Sequence, residues 1–545
     1  MTSPSLVPRA IALALLVAGP VLAQQHEHGA STDEKLGTVR FSTSCSAGAQ
    51  PLFNRAVALL HSFEFARAIE GFNATLKADP SCAMAEWGIA LSRWANPFAP
   101  GLRPPAQLQQ GRDAVARARA IGTKTAREGA YLDAVSELYA SFETIDQRTR
   151  VLAYRDAMAK VAAANPDDTE AAIFYALAIA VAASPTDKTY ADQLKAGAIL
   201  EKIIVSQPDH PGLSHYIIHS YDVPPLADRA LDAARRYAKI APSAPHALHM
   251  PSHTFTRVGA WQESIDTNTA AAAVARREGS TAEELHSMDY RMYAYLQTGQ
   301  DAAAREILDA LPEVKARFDP DAIGSGAPGS AGVFALAAIP ARYALERGAW
   351  GDAANLVPQP SRYRYADGLT YFARGLGAAR TRDAPAARSA IDTLNAIKNQ
   401  LTDQKELYWA GQTDIQRRSV SAWLALLEGR KEEALTEMRA AAAIEDGTEK
   451  AAVTPGPLAP ARELLGEMLL EMNRPADALR EFEATLLKEP NRFRALIEAA
   501  RSASLAGDTQ KARTFAATLL KICERADRPG RPELQEARRL ATSGQ

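Results

Sequence analysis

The sequence has three cysteines in 545 residues, Cys45, Cys82 and Cys523. That excludes a disulfide framework and a cysteine-built zinc or iron–sulfur scaffold. Neither charge is in excess: 62 Lys+Arg against 64 Asp+Glu leave a net charge of −2. A nucleic-acid binder working by bulk positive charge is therefore excluded. No Gly-x-Ser-x-Gly elbow, Gly-x-x-x-x-Gly-Lys phosphate loop or Cys-x-x-Cys-His haem site occurs. After the N-terminus no run of about 18 uninterrupted apolar residues appears, so no membrane span is expected. With 47% apolar and 23% charged residues, the chain reads as ordinary globular protein. It is too long for one compact core, which leaves several domains or one elongated repeat array.

The first residues read as an export address. Arg9 precedes the apolar run Ile11–Gly19, and Val21-Leu22-Ala23 offers the small residues that a signal peptidase recognises. Residues 1–23 are expected to be a cleaved signal peptide, and the mature protein to be periplasmic or secreted. Disulfides persist there, and Cys45 with Cys82 is the candidate pair. Residues 24–47 are expected to be an extended arm. His26 and His28 in it could hold copper or nickel loosely, although a solvated tail is the simpler reading.

Beyond the arm, Ala is abundant, alternating β-branched residues are scarce, and apolar residues recur at helical spacing. A turn glycine followed five residues later by Ala recurs at Gly299/Ala304, Gly348/Ala353, Gly429/Ala434 and Gly507/Ala512, with Ser264 in that place after Gly259. Glycine lets the chain reverse, and the small residue lets the second helix approach the first. Asp79-Pro80, Asn165-Pro166, Gln207-Pro208 and Glu489-Pro490 punctuate the pattern. Helix–turn–helix units ending in Pro, with a period near 34 residues, are the tetratricopeptide pattern. Ala461–Pro490 resembles one such repeat, with Gly466, Ala478, Phe482 and Pro490 at its small, small, aromatic and proline positions. The segments Cys82–Leu91 and His249-Met-Pro-Ser-His253 resemble exported bacterial members of that family to which no activity is assigned. The resemblance implies an all-α, right-handed solenoid of stacked helical hairpins with a concave groove. It implies no chemistry.

Three segments interrupt the array: Asn96–Pro105, Asp319–Gly332 and Val453–Pro460. The middle one, residues 319–332, is rich in Gly, Ser and Pro and reads as a flexible linker or a lid. It divides an N-terminal solenoid (48–318) from a C-terminal one (333–545). Trp87, Arg93 and Trp94 on an early first helix are candidates for stacking on a ligand, against core packing as the simpler reading.

Histidine placement is the sharpest feature. Seven of ten histidines lie between residues 210 and 286, where even scattering would put one or two. His215 and His219 are four apart, as are His249 and His253, so each pair shares a helix face. The two pairs are separated by 34 residues, one repeat period. The family has its turn glycine at the fifteenth position of a unit. By that resemblance, His246, His249 and His253 fall at the second, fifth and ninth positions before Gly259. His215 and His219 take the fifth and ninth of the preceding unit, and His286 and Asp289 the second and fifth of the next. Those positions line the groove in the family.

Neighbouring packed helices sit about 8–10 Å apart, so imidazoles from both could converge. A shell of four imidazoles, or of three with Asp289 or water, suits a transition metal: copper or zinc first, iron or nickel also accommodated. Six histidines exceed one tetrahedral shell, so two ions are also possible. Pro251 between His249 and His253 must either start a helix near Met250 or kink one. Tyr221, Asp222 and Tyr290 are candidates to support or flank the ligands. No Glu stands beside the first His of either pair, where Tyr216 and Met250 sit, so the zinc-protease motif is absent. The expectation is an exported metal-binding solenoid with a storage, delivery or redox role. The alternative is a scaffold that holds a protein or peptide partner in its groove without metal.

Overall fold

In a computed structural model the structure describes residues 34–542 and Met1. The expected signal peptide, His26 and His28 lie outside the described residues. Residues 35–542 belong to one compact unit. Its regular elements are all helical, and consecutive helices pack as antiparallel hairpins. First helices stack on first helices: Thr281–Gln297, Gly329–Leu345, Arg364–Arg380, Leu407–Leu427, Ala461–Glu471 and Phe493–Leu505 follow one another. The fold is a solenoid of helical hairpins.

The turn pattern explains the hairpins. Gly259, Gly299, Gly348, Gly429 and Gly507 all have positive φ, where a side chain would be strained. The small residues five positions on, Ser264, Ala304, Ala353, Ala434 and Ala512, are completely or almost completely buried. There the second helix rests on the first. In the Ala461–Pro490 unit the turn is made by Asn473, also at positive φ, and Gly466 packs against the ring of Phe482.

First helices are buried on nearly every face and second helices on one. Every residue of Pro211–Ser220 and of Pro251–Arg257 is buried, whereas Leu231–Ile240 buries only Ala233, Ala234 and Tyr237. The first helices therefore line no open channel in this region, and the groove expected from the repeat pattern is filled. Cys45 and Cys82 are joined in a disulfide with Cα atoms 4.8 Å apart. Residues 35–47 run in extended conformation across the hairpin ends. Thr38 N donates to Asp209 O, and Phe41 is buried against Trp87 and Tyr131.

The last hairpins fold back onto the middle of the chain. Asp527 N donates to Gly299 O, and the Trp261 indole donates to Asn491 O. The Arg492 guanidinium is fully buried and bridges Glu463 (2.7 and 2.9 Å), Glu346 (2.7 Å) and the Tyr293 hydroxyl (3.0 Å). It ties four hairpins together. Replacing it leaves the buried Glu346 carboxylate unpaired and Glu463 with only Arg494, 3.8 Å away. Arg492→Met is expected to destabilise the fold by about 3–5 kcal/mol. Urea unfolding followed by circular dichroism measures this, and a loss near zero would show that the bridge is dispensable.

Candidate metal centre

The centre is carried by three consecutive first helices. Pro211–Ser220 holds His215 and His219, and Thr281–Gln297 holds His286. Between them lie two short helices, Pro245–His249 and Pro251–Arg257, joined at Met250, which itself keeps helical angles (φ −52°, ψ −37°). Pro251 is the kink. It has no N–H to give, and it starts a new helix at the one place where that costs nothing. His249 Nε2 lies 3.1 Å from His253 Nε2.

The six imidazoles form two triads. One ring nitrogen each from His215, His219 and His246 lies within 4.8 Å of the others, and likewise from His249, His253 and His286. The four-imidazole shell expected from the two i, i+4 pairs does not form. Each pair instead takes its third member from the second position of the following repeat. The offset between neighbouring helices brings the next helix's first turn alongside, His246 against His215 with ring centroids 5.1 Å apart and His286 against His249 at 4.4 Å. All six rings are buried, with His219 the most exposed at 8%.

Hydrogen bonds fix which nitrogens face inward. His215 Nδ1 donates to the carbonyl of His61 (2.6 Å), His249 Nδ1 to Asn268 Oδ1 (2.7 Å), and His253 Nδ1 to Asp222 Oδ2 (2.9 Å). His246 Nδ1 donates to Glu283 (3.2 Å). In each case the acceptor has no proton to give, so Nε2 carries the lone pair. His215, His219 and His246 Nε2 and His286 Nδ1 are buried with no hydrogen-bond partner among the described residues. His249 Nε2 has only His253 Nε2, lone pair against lone pair, and the Tyr290 hydroxyl approaches His253 Nε2 at 3.5 Å. Leaving a buried polar atom unmet costs about 1–3 kcal/mol, and here several such atoms converge. Imidazoles braced by carboxylate, amide or carbonyl acceptors are how metal-binding histidines are held.

The three interruptions of the repeat pattern close over this cluster. From the first, Phe98 stacks on His219 with ring centroids 4.0 Å apart. Asn96 Nδ2 also donates to Gly326 O (2.7 Å). From the second, Gly326 packs so tightly on the His246 ring that a Cβ there would overlap it. Ser325 Oγ and Ala327 N donate to Glu283 Oε2. The second segment ends sooner than its composition implied, since helix Gly329–Leu345 begins directly after Pro328. Beside the third, Lys450 Nζ lies 3.3 Å from Asp222 Oδ2, and the Tyr290 hydroxyl reaches the carbonyls of Ala452 and Thr454.

Asp222 and Tyr290 thus stand where expected, with the Tyr290 ring against His249, His253 and His286. Other expectations are corrected. The Asp289 carboxylate is held by the fully buried Arg342 guanidinium (2.9 Å), so it is no ligand. The Tyr221 hydroxyl donates to Glu201, with Arg229 over its ring. Trp87 is core, packed on Phe41, Tyr131 and Phe174. Trp94 carries Arg103 and Arg150 over its ring. Neither tryptophan makes a ring contact with the six imidazoles, and Arg93 makes no hydrogen bond to them.

Sequence reasoning missed Glu283, although its place three residues before His286 puts it on the same helix face. It also missed a third cluster, in which Glu170 accepts from His61 (3.0 Å) and His210 (2.9 Å) while His61 Nδ1 meets the Tyr216 hydroxyl (3.0 Å). Glu170 takes one nitrogen of each ring, while His210 Nδ1 has no hydrogen-bond partner among the described residues. The carbonyl of His61 in turn braces His215, so this cluster buttresses the first triad.

Burial shapes the electrostatics. It lowers the basicity of His215, His219 and His249 well below the ordinary imidazole value, and neighbouring imidazoles add to the effect. It also lowers His61 and His253, and brings His286 down to about 3. Burial works against the Asp222 carboxylate, yet Lys450, Arg257 and His253 hold it ionised well below the usual range. Glu283 is likewise kept ionised against burial by His246, His249 and His286.

No sequence-family profile and no curated protein matches this chain. Among solved structures, the chain is similar to the human IFIT1 dimer with m7Gppp-AAAA at 9% identity, TM-score 0.36, covering 89% of this chain and 97% of that one. It is also similar to the P58(IPK) TPR domain at 14% identity, TM-score 0.21, covering 69% and 99%.

The imidazole shifts predict an acid-sensitive metal-free protein. A base that is weaker in the folded chain binds its proton more readily once unfolded. His61, His215, His219, His249, His253 and His286 therefore contribute stability that is present above about pH 6.5 and lost as pH falls toward their folded values. Glu64, pushed up to about 8, and Glu445 and Glu498, pushed up to about 7, work the opposite way, but they are outnumbered. The metal-free chain is expected to melt at lower temperature at pH 5 than at pH 7.5. A melting temperature that stays level or rises on acidification would show that the rings are charged in the fold.

Proposed function

We propose that this chain is an exported solenoid that binds transition-metal ions through its six clustered histidines, with a role in storage, delivery or metal-dependent redox chemistry. The observation that carries the reading is the set of inward-facing imidazole nitrogens, above all the His249 and His253 lone pairs opposed at 3.1 Å. Two nitrogens on one ion at about 2.0–2.1 Å in tetrahedral geometry would be about 3.3 Å apart. A cation between them turns a repulsion into two bonds. An all-imidazole donor set without thiolate or carboxylate suits copper or zinc before iron, manganese or magnesium. Three protein ligands per triad leave each ion an open position, as catalytic rather than structural sites do. Export is supported by the apolar N-terminal segment and by a disulfide between Cys45 and Cys82, since such bonds persist outside the cytosol.

A second reading keeps the solenoid as a scaffold for a peptide or other partner. It is favoured by a pocket beside the centre where Phe334, Tyr365, Tyr408 and Trp409 face Lys450 and Lys488. Arg257 adds a third cation, and Glu445 and Glu489 line the pocket too, so aromatic faces with charges of both signs suit a polar, partly apolar ligand.

Metal analysis of protein purified without a histidine tag separates the two. The metal reading expects close to two equivalents per chain, and about one after His215→Ala or after His249→Ala. Added copper or zinc is expected to raise the melting temperature, as ligand present at a thousand times its Kd stabilises by about 4.1 kcal/mol. No bound metal and no thermal shift would leave the scaffold reading. Asp222→Asn removes the carboxylate behind His253 and is expected to weaken one of the two ions by roughly 10–100-fold, read by competition with a chelating dye.

A further inference from the structure

The two triads are continuous. Across them, the His219 and His253 rings lie 5.9 Å apart and the His246 and His249 rings 6.0 Å. Within the second triad, His253 and His286 are 6.1 Å apart. The six rings therefore pack as one cluster, and ions in both triads would be close neighbours. The donor sets are alike, each being the fifth and ninth positions of one repeat with the second of the next. Each triad leaves a coordination position open. Phenylalanine rings with nothing to donate cover the first triad, Phe63 against His215, His219 and His246 and Phe98 against His219, while the Tyr290 ring covers the second.

Charge selects among metals. The ionised groups braced against the six rings are Asp222 and Glu283. Arg257 and Lys450 draw on Asp222, and Glu449 lies 4.0 Å from Arg257. Lys188 lies 2.6 Å from Glu449, so three carboxylates meet three cations and no net charge remains. Two divalent ions would bury four positive charges and two monovalent ions only two, and a dry site disfavours the larger excess. Copper is the first-row transition metal that is both monovalent in a reducible state and strongly bound by imidazole.

Resting on the metal reading above, we propose that the two triads hold a coupled pair of copper ions that takes up dioxygen between them. Each Cu(I) gives one electron. Dioxygen accepts both, is reduced to the level of peroxide, and bridges the two resulting Cu(II) ions. No proton and no further reductant is consumed, and loss of dioxygen reverses the step. A diatomic ligand matches the closed surroundings, where no larger molecule reaches six buried rings. It enters beside His219, the least covered of them, under Phe98.

The test uses the full chain, stripped of metal, loaded with Cu(I) without air and then exposed to dioxygen. Copper content, gas uptake and electron paramagnetic resonance are read together. The expected result is two copper ions and one dioxygen per chain, with almost no Cu(II) signal because the paired spins cancel. His246→Ala and His286→Ala, one variant in each triad, are expected to bind one copper, and after chemical oxidation to give the full signal of one isolated spin. Circular dichroism confirms that both variants keep their helices. Two bound ions whose signal accounts for all the copper would overturn the pair while leaving metal binding in place. Two bound Cu(I) ions that take up no dioxygen would overturn it equally. Copper content no greater than in a chain carrying both His215→Ala and His249→Ala would remove the metal reading itself.

Discussion

The centre depends on one geometric constraint, the offset between neighbouring first helices in the stack. A residue at the fifth position of one unit lies beside the second position of the next. His215 therefore meets His246, with ring centroids 5.1 Å apart, and His249 meets His286 at 4.4 Å. Everything else in the region accommodates that offset. The small residues after each turn glycine let second helices sit close, which fixes the spacing of first helices. The Met250–Pro251 junction keeps helical angles, so the second pair stays on one face, with ring centroids 5.1 Å apart against 4.9 Å in the first.

The interruptions matter because a solenoid groove is wet and a set of bare imidazole nitrogens is stable only when protected. Open to water, each Nε2 would find a hydrogen bond and the cluster would carry no tension. Here Phe98, Gly326 and the segment around Lys450 cover the rings, and burial keeps the imidazoles neutral. Neutral imidazole is the form that binds metal. The same loops deliver the braces: Ser325 and Ala327 to Glu283, and Lys450 to Asp222. Closing the groove and orienting the ligands are thus one structural act.

The hairpins and the histidine cluster were legible because both are periodic: a turn glycine with its buried partner, and a doubled His-x-x-x-His at the repeat length. The grouping into triads was not, because spacing along the chain says nothing of the offset between helices. Asp289 shows a second limit. Its position in the repeat was right, but Arg342, 53 residues on, holds it. Tyr221 and Trp87 fail for the same reason: Glu201 and Phe41 are partners from elsewhere in the fold. The three loops could be seen as interruptions, yet nothing local told that all three meet at one place. Glu283 was the exception, readable from its spacing to His286 and overlooked.

Repetition gives the two triads like ligands but unequal backing. In the first, His246 leans on Glu283, whose charge no guanidinium or ammonium shares, and His215 leans on a carbonyl. In the second, His253 leans on Asp222, which Arg257 and Lys450 also draw upon, and His249 leans on an amide. A ring whose Nδ1 proton faces an unshared carboxylate is the more electron-rich donor at Nε2. On the metal reading, the first triad would favour the higher charge on an ion and the second the lower, and two neighbouring sites of unequal potential are what an electron needs in order to prefer one side. A fold that repeats its ligands while varying what stands behind them supplies that difference without changing a single ligand.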